Sequence, residues 1–587
     1  MKWDLTYLFP TEADFEAAYQ ETSATIQTLS AYKGLLNQEA KFKEYFLTQK
    51  HVLKLGYRAY QYASLSSDLN KKNQESAARL QKVQIAFNLM SEICSFEEPE
   101  LIAIGQERVL SFIDRNPELE EMRFRLVKLF RRQEHVLDDV SERLISNFNQ
   151  LVGAGAELYS NLTVADVQNG DVMLDDGKLV TITNSNYRAF ISKSKSPRER
   201  KDIFESVFSY YDVHKTTYAG IYNTVLQADY ANMKARKYAS CVEAALFNNA
   251  IPVEVYRSLA SVARENTAPI KKYIALRKKF LKLKEYHTYD RFLPLVKSKK
   301  EYEFEEAKKL FFKSIANFPA DFQEKAHEVL KDGFVDVYEA DGKRSGAYSS
   351  STPDLHPYIL LNYSKTLDDV FTVAHEAGHS IHSMYAMENQ PTMLQDYTIF
   401  VAEIASTFNE HNLLDYFISS SKSSKNEKIA LLQRTIDDIL ATFYRQTLFA
   451  IYELEAHKLV EDNQPITADI LSKIMIDLYK DFYDLDITTE EVKPYVWAYI
   501  PHLFYTPFYV YQYATSFATS LKLYENVKNK VPGAFDRYIG LLKSGGSEFP
   551  VEQIKKAGVD LTEKEAFLAV AHRLGELVDQ LEVVIGE

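Results

Sequence analysis

Thr366-Leu367-Asp368-Asp369-Val370-Phe371-Thr372-Val373-Ala374-His375-Glu376-Ala377-Gly378-His379-Ser380-Ile381-His382 is the stretch on which the reading of this chain turns. Its apolar positions, Val370, Phe371, Ala374, Ala377 and Ile381, recur at three- and four-residue spacing, the period of one helix face. Thr366 followed three residues later by Asp369 has the form of a capping box, so the helix is expected to begin there. Pro391 lies beyond its expected end. On such a helix, residues i and i+4 project from one face, one turn apart. His375 and His379 therefore aim two imidazoles at one place. His-Glu-x-x-His in this setting reads as a metal site, with Glu376 facing the metal-bound water as general base.

A catalytic zinc ion takes three protein ligands and leaves a position open. The two cysteines, Cys94 and Cys241, stand far apart without a partner motif, which excludes a disulfide framework and argues against a thiolate site. The third ligand is therefore sought as a carboxylate on a following helix. After a polar loop, the run from Thr398 to Glu410 can return antiparallel to the first helix. Glu403 sits there among apolar neighbours, where a carboxylate is costly unless paired or bound to a metal. Glu410, two turns further along the same face, is expected to accept a hydrogen bond from a ligand histidine. His382 lies near the motif face, either supporting the site or serving as a core histidine. The expected cofactor is one zinc ion per chain, held by His375, His379 and Glu403.

Outward from this site, 19 glycines and 17 prolines in 587 residues, with helical apolar spacing over most of the length, predict a mainly α fold. Residues 11 to about 155 read as long amphipathic helices, for example from Leu101 to Leu151 with Pro117 as one of few breaks. Strand signals are local: a hairpin around Asp176-Gly177, short runs at Val335–Tyr338 and Gly346–Tyr348, and a compact run at Tyr358–Tyr363. The predicted division is an N-terminal helical region, 1–190, and a catalytic region, 191–587. The net charge of −13 is interleaved and forms no basic stripe, so no nucleic-acid partner is expected. From Pro494 to Ser520 there is no charged residue, but Pro501, His502, Pro507 and Gln512 make this a buried or cleft-lining segment and not a membrane span. The first ten residues lack the pattern of a signal peptide, so the expected compartment is the cytoplasm. Oligomeric state is not legible.

The chain resembles the oligoendopeptidase F branch of the thimet oligopeptidase family. The likeness is carried by His375–His382, by Phe400-Val401-Ala402-Glu403-Ile404-Ala405-Ser406, and by Gly342-Lys343-Arg344-Ser345-Gly346-Ala347-Tyr348. Pro357–Asn362, the tyrosine-rich stretch from Pro501-His502, Trp3-Asp4-Leu5 and Ser544-Gly545-Gly546-Ser547 add to it. It implies a helical ellipsoid of two halves around a deep central channel, with a small β element near the active site. It also implies internal cleavage of short oligopeptides. In the family, tyrosines following a histidine contact the reacting carbonyl. Here His502 is followed by Tyr505, Tyr509, Tyr511 and Tyr513, and Tyr509 is the one favoured.

On this reading the catalytic residues are Glu376, His502 and Tyr509. The Tyr358–Tyr363 run is expected to offer an exposed edge to an extended peptide. Gly346, Ala347 and Tyr348 would form another wall, with Tyr513 also in contact. The alternative for both strands is that they pack on each other. Two rival functions stay open: an exopeptidase using Arg344 to receive a terminal carboxylate, and a non-catalytic peptide-binding protein.

Overall fold

A computed structural model describes residues 2–297, 300–419, 424–490 and 492–586. Among the described residues the fold is mainly α, with two small sheets. The chain divides into two compact units, each assembled from three segments. One comprises Met1–Glu134, Lys300–Ser419 and Leu523–Val559; the other comprises His135–Lys299, Ser420–Lys522 and Asp560–Glu587.

The first unit begins with helices α1 (Glu12–Thr28), α2 (Glu39–Leu69) and α3 (Gln74–Ile93). Their apolar stripes meet in a core that includes Ile26, Phe42, Phe46, Leu101, Phe112 and Leu126. The long helical run expected from Leu101 to Leu151 is instead a series of short helices. Gly105, at φ +89°, ends Glu97–Ile104, and Asn116-Pro117 ends Gln106–Arg115. A residue at positive φ cannot continue an α-helix, and proline disfavours helical backbone in the residue before it.

Strands β1 (Val335–Asp336), β2 (Tyr348–Thr352) and β3 (Leu355–Leu360) form a mixed sheet in the order β1-β3-β2. β3 is central: it pairs parallel with β1 and antiparallel with β2, setting Ser349 opposite Ile359. Trp3 docks on this strand, its indole N–H donating to the Ile359 carbonyl at 2.8 Å. Two long helices complete the frame, α4 (Leu367–Asn389) and α5 (Ile399–Ser419).

The second unit is rich in buried tyrosine. Tyr222 packs between Tyr452 and Trp497, and Tyr159 stacks on Phe504 at 3.9 Å. Its hairpin, Gly170–Met173 with Leu179–Ile182, turns at Gly177 with φ +83°. Helix α6 (Lys425–Ile439) runs through a π turn at Leu440–Tyr444 into α7 (Arg445–Glu461). The uncharged stretch from Pro494 lies here as short helical turns and the start of Tyr511–Lys528. Among the described residues, no helix is long and apolar enough to cross a membrane.

Candidate metal centre

The site is built by α4 and α5. The Thr366 hydroxyl accepts the Asp369 N–H at 3.2 Å, and the Asp369 carboxylate accepts the Thr366 N–H at 2.8 Å, so α4 starts with a reciprocal cap. Ala374 meets Asn409, His375 meets Glu410, Gly378 meets Ala405 and His379 meets Glu403. From His375 to His379 the partners run backwards along the second helix, from Glu410 to Glu403, so the two helices are antiparallel. Their approach is unusually close because residue 378 is glycine. A Cβ there would lie 2.6 Å from both the Ala405 carbonyl oxygen and the Ser406 Cα.

That closeness sets the geometry of three side chains. His375 Nε2 and His379 Nε2 are 3.2 Å apart, and Glu403 Oε2 lies 3.3 Å from the first and 3.5 Å from the second. For a tetrahedral ion with ligand bonds near 2.0–2.1 Å, neighbouring donors stand about 3.3–3.4 Å apart. The triangle therefore fits one small divalent ion, and two imidazoles with one carboxylate suit such an ion chemically. Glu410 Oε1 accepts from His375 Nδ1 at 2.7 Å, and His379 is held by the backbone of Ala402. Each ring is thus fixed from behind, which orients the ligand nitrogen and settles its tautomer.

Glu376 is 5% exposed. Its carboxyl bonds to the backbone of Ser349, while Oε2 has no partner among the described residues. Burial pushes this carboxyl up to about 7; His375 opposes the shift, and Glu403 and Glu410 add to it. A buried, unpartnered carboxylate oxygen is costly and so points to a functional role. Burial lowers the His375 pKa, but the bonds from Glu403 and Glu410 outweigh it and hold the pKa well above the ordinary value. At His379 burial, with the charge of His375 beside it, lowers the pKa to about 4.

His382 is buried and stacks on Tyr397 at 3.7 Å. The Tyr397 hydroxyl lies 3.4 Å from the His379 carbonyl and 3.1 Å from Ser383 Oγ, so this pair braces the back of α4. Nothing in the sequence pattern marks Tyr397 beyond its being an aromatic residue in a polar loop. The same loop is braced by Gly545 and Gly546. The Gly546 N–H donates to Leu394 O at 2.8 Å, and a Cβ at Gly545 would lie 2.2 Å from that oxygen.

The sheet corrects one expectation. Tyr358 belongs to the central strand, is fully buried, and donates its hydroxyl to Asp4 O at 2.8 Å. A strand paired on both sides has no edge to offer. The edge beside α4 is β2, whose Ser349 and Ser351 hydroxyls meet Ser380 and Ser383 at 2.8 and 3.2 Å. Gly346 and Ala347 lead into this edge, and Tyr348 begins it with its hydroxyl on Asp68. Arg344, the residue that a terminal-carboxylate reading would need, is paired with the same Asp68 at 3.2 Å.

His502, Tyr509 and Tyr513 belong to the second unit and form a cluster of their own. The His502 ring is nearly parallel to Tyr509 at 5.7 Å and edge-on to Tyr513 at 6.0 Å. Burial lowers the His502 pKa. Tyr511 is buried against Tyr256, whereas Tyr505 is exposed. The sequence reading missed the support of this cluster. Phe508 has φ +56°, and its N–H donates at 2.7 Å to the buried Glu453, whose carboxyl burial holds well above the usual range.

The model of Peptidase family M3 matches residues 190–572, and that of Oligopeptidase F matches residues 100–168. Oligopeptidase PepF of Bacillus subtilis is 33% identical, covering 99% of this chain and 87% of that protein. Group B oligopeptidase PepB of Streptococcus agalactiae is 32% identical, covering 98% of this chain and 96% of that protein. The crystal structure of oligoendopeptidase-F from Enterococcus faecium superposes with a TM-score of 0.76 at 26% identity, covering 98% of this chain and 99% of that one.

Proposed function

This chain belongs to Peptidase family M3 and is a metalloendopeptidase, and we propose that it uses zinc to cut internal bonds of short oligopeptides. His375, His379 and Glu403 would hold the ion, and the observation that carries this is their 3.2, 3.3 and 3.5 Å triangle of donor atoms. When bound, the ion supplies Lewis-acid polarisation of water and of a peptide carbonyl. Everything else falls to the protein. Glu376 takes the proton of the attacking water and passes it to the leaving amine, a role suited to a carboxyl near pKa 7. Glu410 keeps the His375 ring in place. The β2 edge, from Gly346 through Tyr348 to Ser349, pairs with an extended peptide through main-chain hydrogen bonds, which tolerates varied side chains. To His502 and Tyr509 we assign hydrogen bonds to the substrate carbonyl, and to Tyr513 a contact with the peptide, on the family resemblance and their side-chain chemistry. The catalytic part is taken as residues 191–587.

The test is cleavage of an internally quenched peptide blocked at both ends. Cleavage is expected, to be lost on chelation and to return with one equivalent of zinc. Bound zinc without cleavage would sink the endopeptidase assignment; recovery only with another divalent ion would replace zinc.

A further inference from the structure

The second unit contains a cavity of about 990 Å³, which His502 and Tyr505 border but which the chemistry above does not use. Its charged walls are Arg188, Arg291 and Arg445 against a single acid, Asp437. In a chain of net charge −13 this is a local reversal of sign. None of the three arginines forms an ion pair among the described residues. Asp437 offsets them little. Its carboxylate is engaged by the Tyr273 hydroxyl at 2.8 Å and Gln433 at 3.2 Å, and burial pushes its pKa up.

Arg188 and Arg291 are held in place. Arg291 stands on the turn Thr288–Phe292. The fully buried Arg277 clamps that turn by donating to the carbonyls of Asp290, Arg291 and Leu293 at 3.0, 3.1 and 2.6 Å. A buried pair, Arg200 to Asp290 at 2.8 Å, fixes it from another side. Arg188 donates to the hydroxyls of Tyr187 and Tyr499 at 3.2 and 3.3 Å. Arg188 and Arg291 both lie over the Phe292 ring, at 5.7 and 4.6 Å. Arg445 opens α7, just past the π turn whose Leu440 and Ala441 also line the cavity. Single π turns inside long helices occur frequently at functional sites. The potential is visible in Tyr187. Burial raises its pKa, but the charges of Arg291 and Arg188, with hydrogen bonds from Arg188 and Tyr499, bring it below the ordinary phenol value.

We propose that this cavity binds a carboxylate of the oligopeptide substrate between Arg188, Arg291 and Arg445, and so selects peptides by their acidic end. This rests on the peptidase reading above. A guanidinium fork matches a carboxylate in two parallel hydrogen bonds, and the surrounding tyrosines supply apolar contact and further donors. The carboxylate has two sources, the chain terminus and an Asp or Glu side chain close to it.

The experiment measures binding of a labelled, N-acetylated oligopeptide to the Glu376→Gln protein. The peptide is used as free acid, as C-terminal amide, and as an amide with Glu at the last position. The free acid is expected to bind about 10- to 100-fold more tightly than the plain amide. That gap should close in Arg291→Gln and narrow in Arg188→Gln and Arg445→Gln, with amide binding unchanged in each. The Glu-bearing amide matching the acid would identify the side chain as a source; matching the plain amide would identify the terminus. Equal binding of all three peptides overturns the proposal, as does a gap that survives the three substitutions together. Arg188 is solvent-accessible, so its variant tests the cavity even if Arg291→Gln misfolds. If the free acid binds preferentially but wild-type protein hydrolyses no peptide, the peptidase reading fails and the cavity assignment stands.

Discussion

The metal centre of the first unit and the arginine-lined cavity of the second solve the problem of holding charged groups in opposite ways. The candidate metal centre would draw its ligands from two neighbouring helices, α4 and α5, joined by one short loop. Helical spacing sets His375 and His379, and the bare Cα of Gly378 lets α5 deliver Glu403 from the other side. Each donor has a second bond behind it. The cavity gathers Arg188, Arg291 and Arg445 from three segments, each more than 100 residues from the next in the chain, and its order comes from a buried arginine clamping a turn. Catalytic groups that must meet within a few tenths of an ångström are carried on one rigid pair of elements. Groups that would grip one charged end of a ligand can be collected from distant parts of the chain.

The largest effect that would sharpen this contrast is expected at Glu376. Glu376→Gln should lower kcat by about 10²–10⁴-fold while zinc stoichiometry, read by atomic absorption, stays at one. Normal turnover in that variant would break the base assignment. Next comes Gly378→Ala. The new methyl meets backbone, which cannot swing aside, so α4 and α5 must separate at a cost of about 1–3 kcal/mol. A fall in melting temperature together with loss of zinc affinity is expected. Retention of both would mean the helices are not locked at this point.

Glu410→Ala is smaller again. Losing the bond behind His375 should weaken zinc binding by about 10- to 100-fold in a competition titration. An unchanged affinity would show that helix packing alone orients the ring. The last effect belongs to the second unit and bears on stability alone, not on the metal or turnover. Glu453→Leu removes the acceptor of the strained Phe508 N–H and should cost about 1–3 kcal/mol in urea unfolding, whereas Glu453→Gln should be close to neutral. Equal losses in both variants would show that the carboxyl is ionised and serves as a charge.

The grouping of His375 and His379 on one helix face was legible because its information is local. A capping box, a helical period and a His-Glu-x-x-His spacing each involve residues within one or two turns, where backbone geometry is the same in any protein. Glu403 and Glu410 were legible one step further out, since a buried acid on an antiparallel return helix needs a partner. The sheet was less so. The Tyr358–Tyr363 run was apolar enough to be a strand, but its place in the sheet depended on Trp3 and residues 335–336, which periodicity does not connect. Gly105 was likewise invisible to a search for apolar spacing, although its backbone ended the helix. Tyr397, Gly545 and Glu453 act through contacts with residues far away in sequence or through backbone strain, and no pattern announces either.

The sequence by itself determined the helical class and, through spacing and capping, which side chains would share a helix face around His375. Only the tertiary structure decided that β2 is the sheet edge beside α4, that Tyr358 is core, that Arg344 is paired with Asp68, and that three distant arginines line one cavity. Helical period is dictated by local sterics and is written into every turn. Strand order, charge pairing and cavities depend on which distant segments pack together, and that is set by the whole chain.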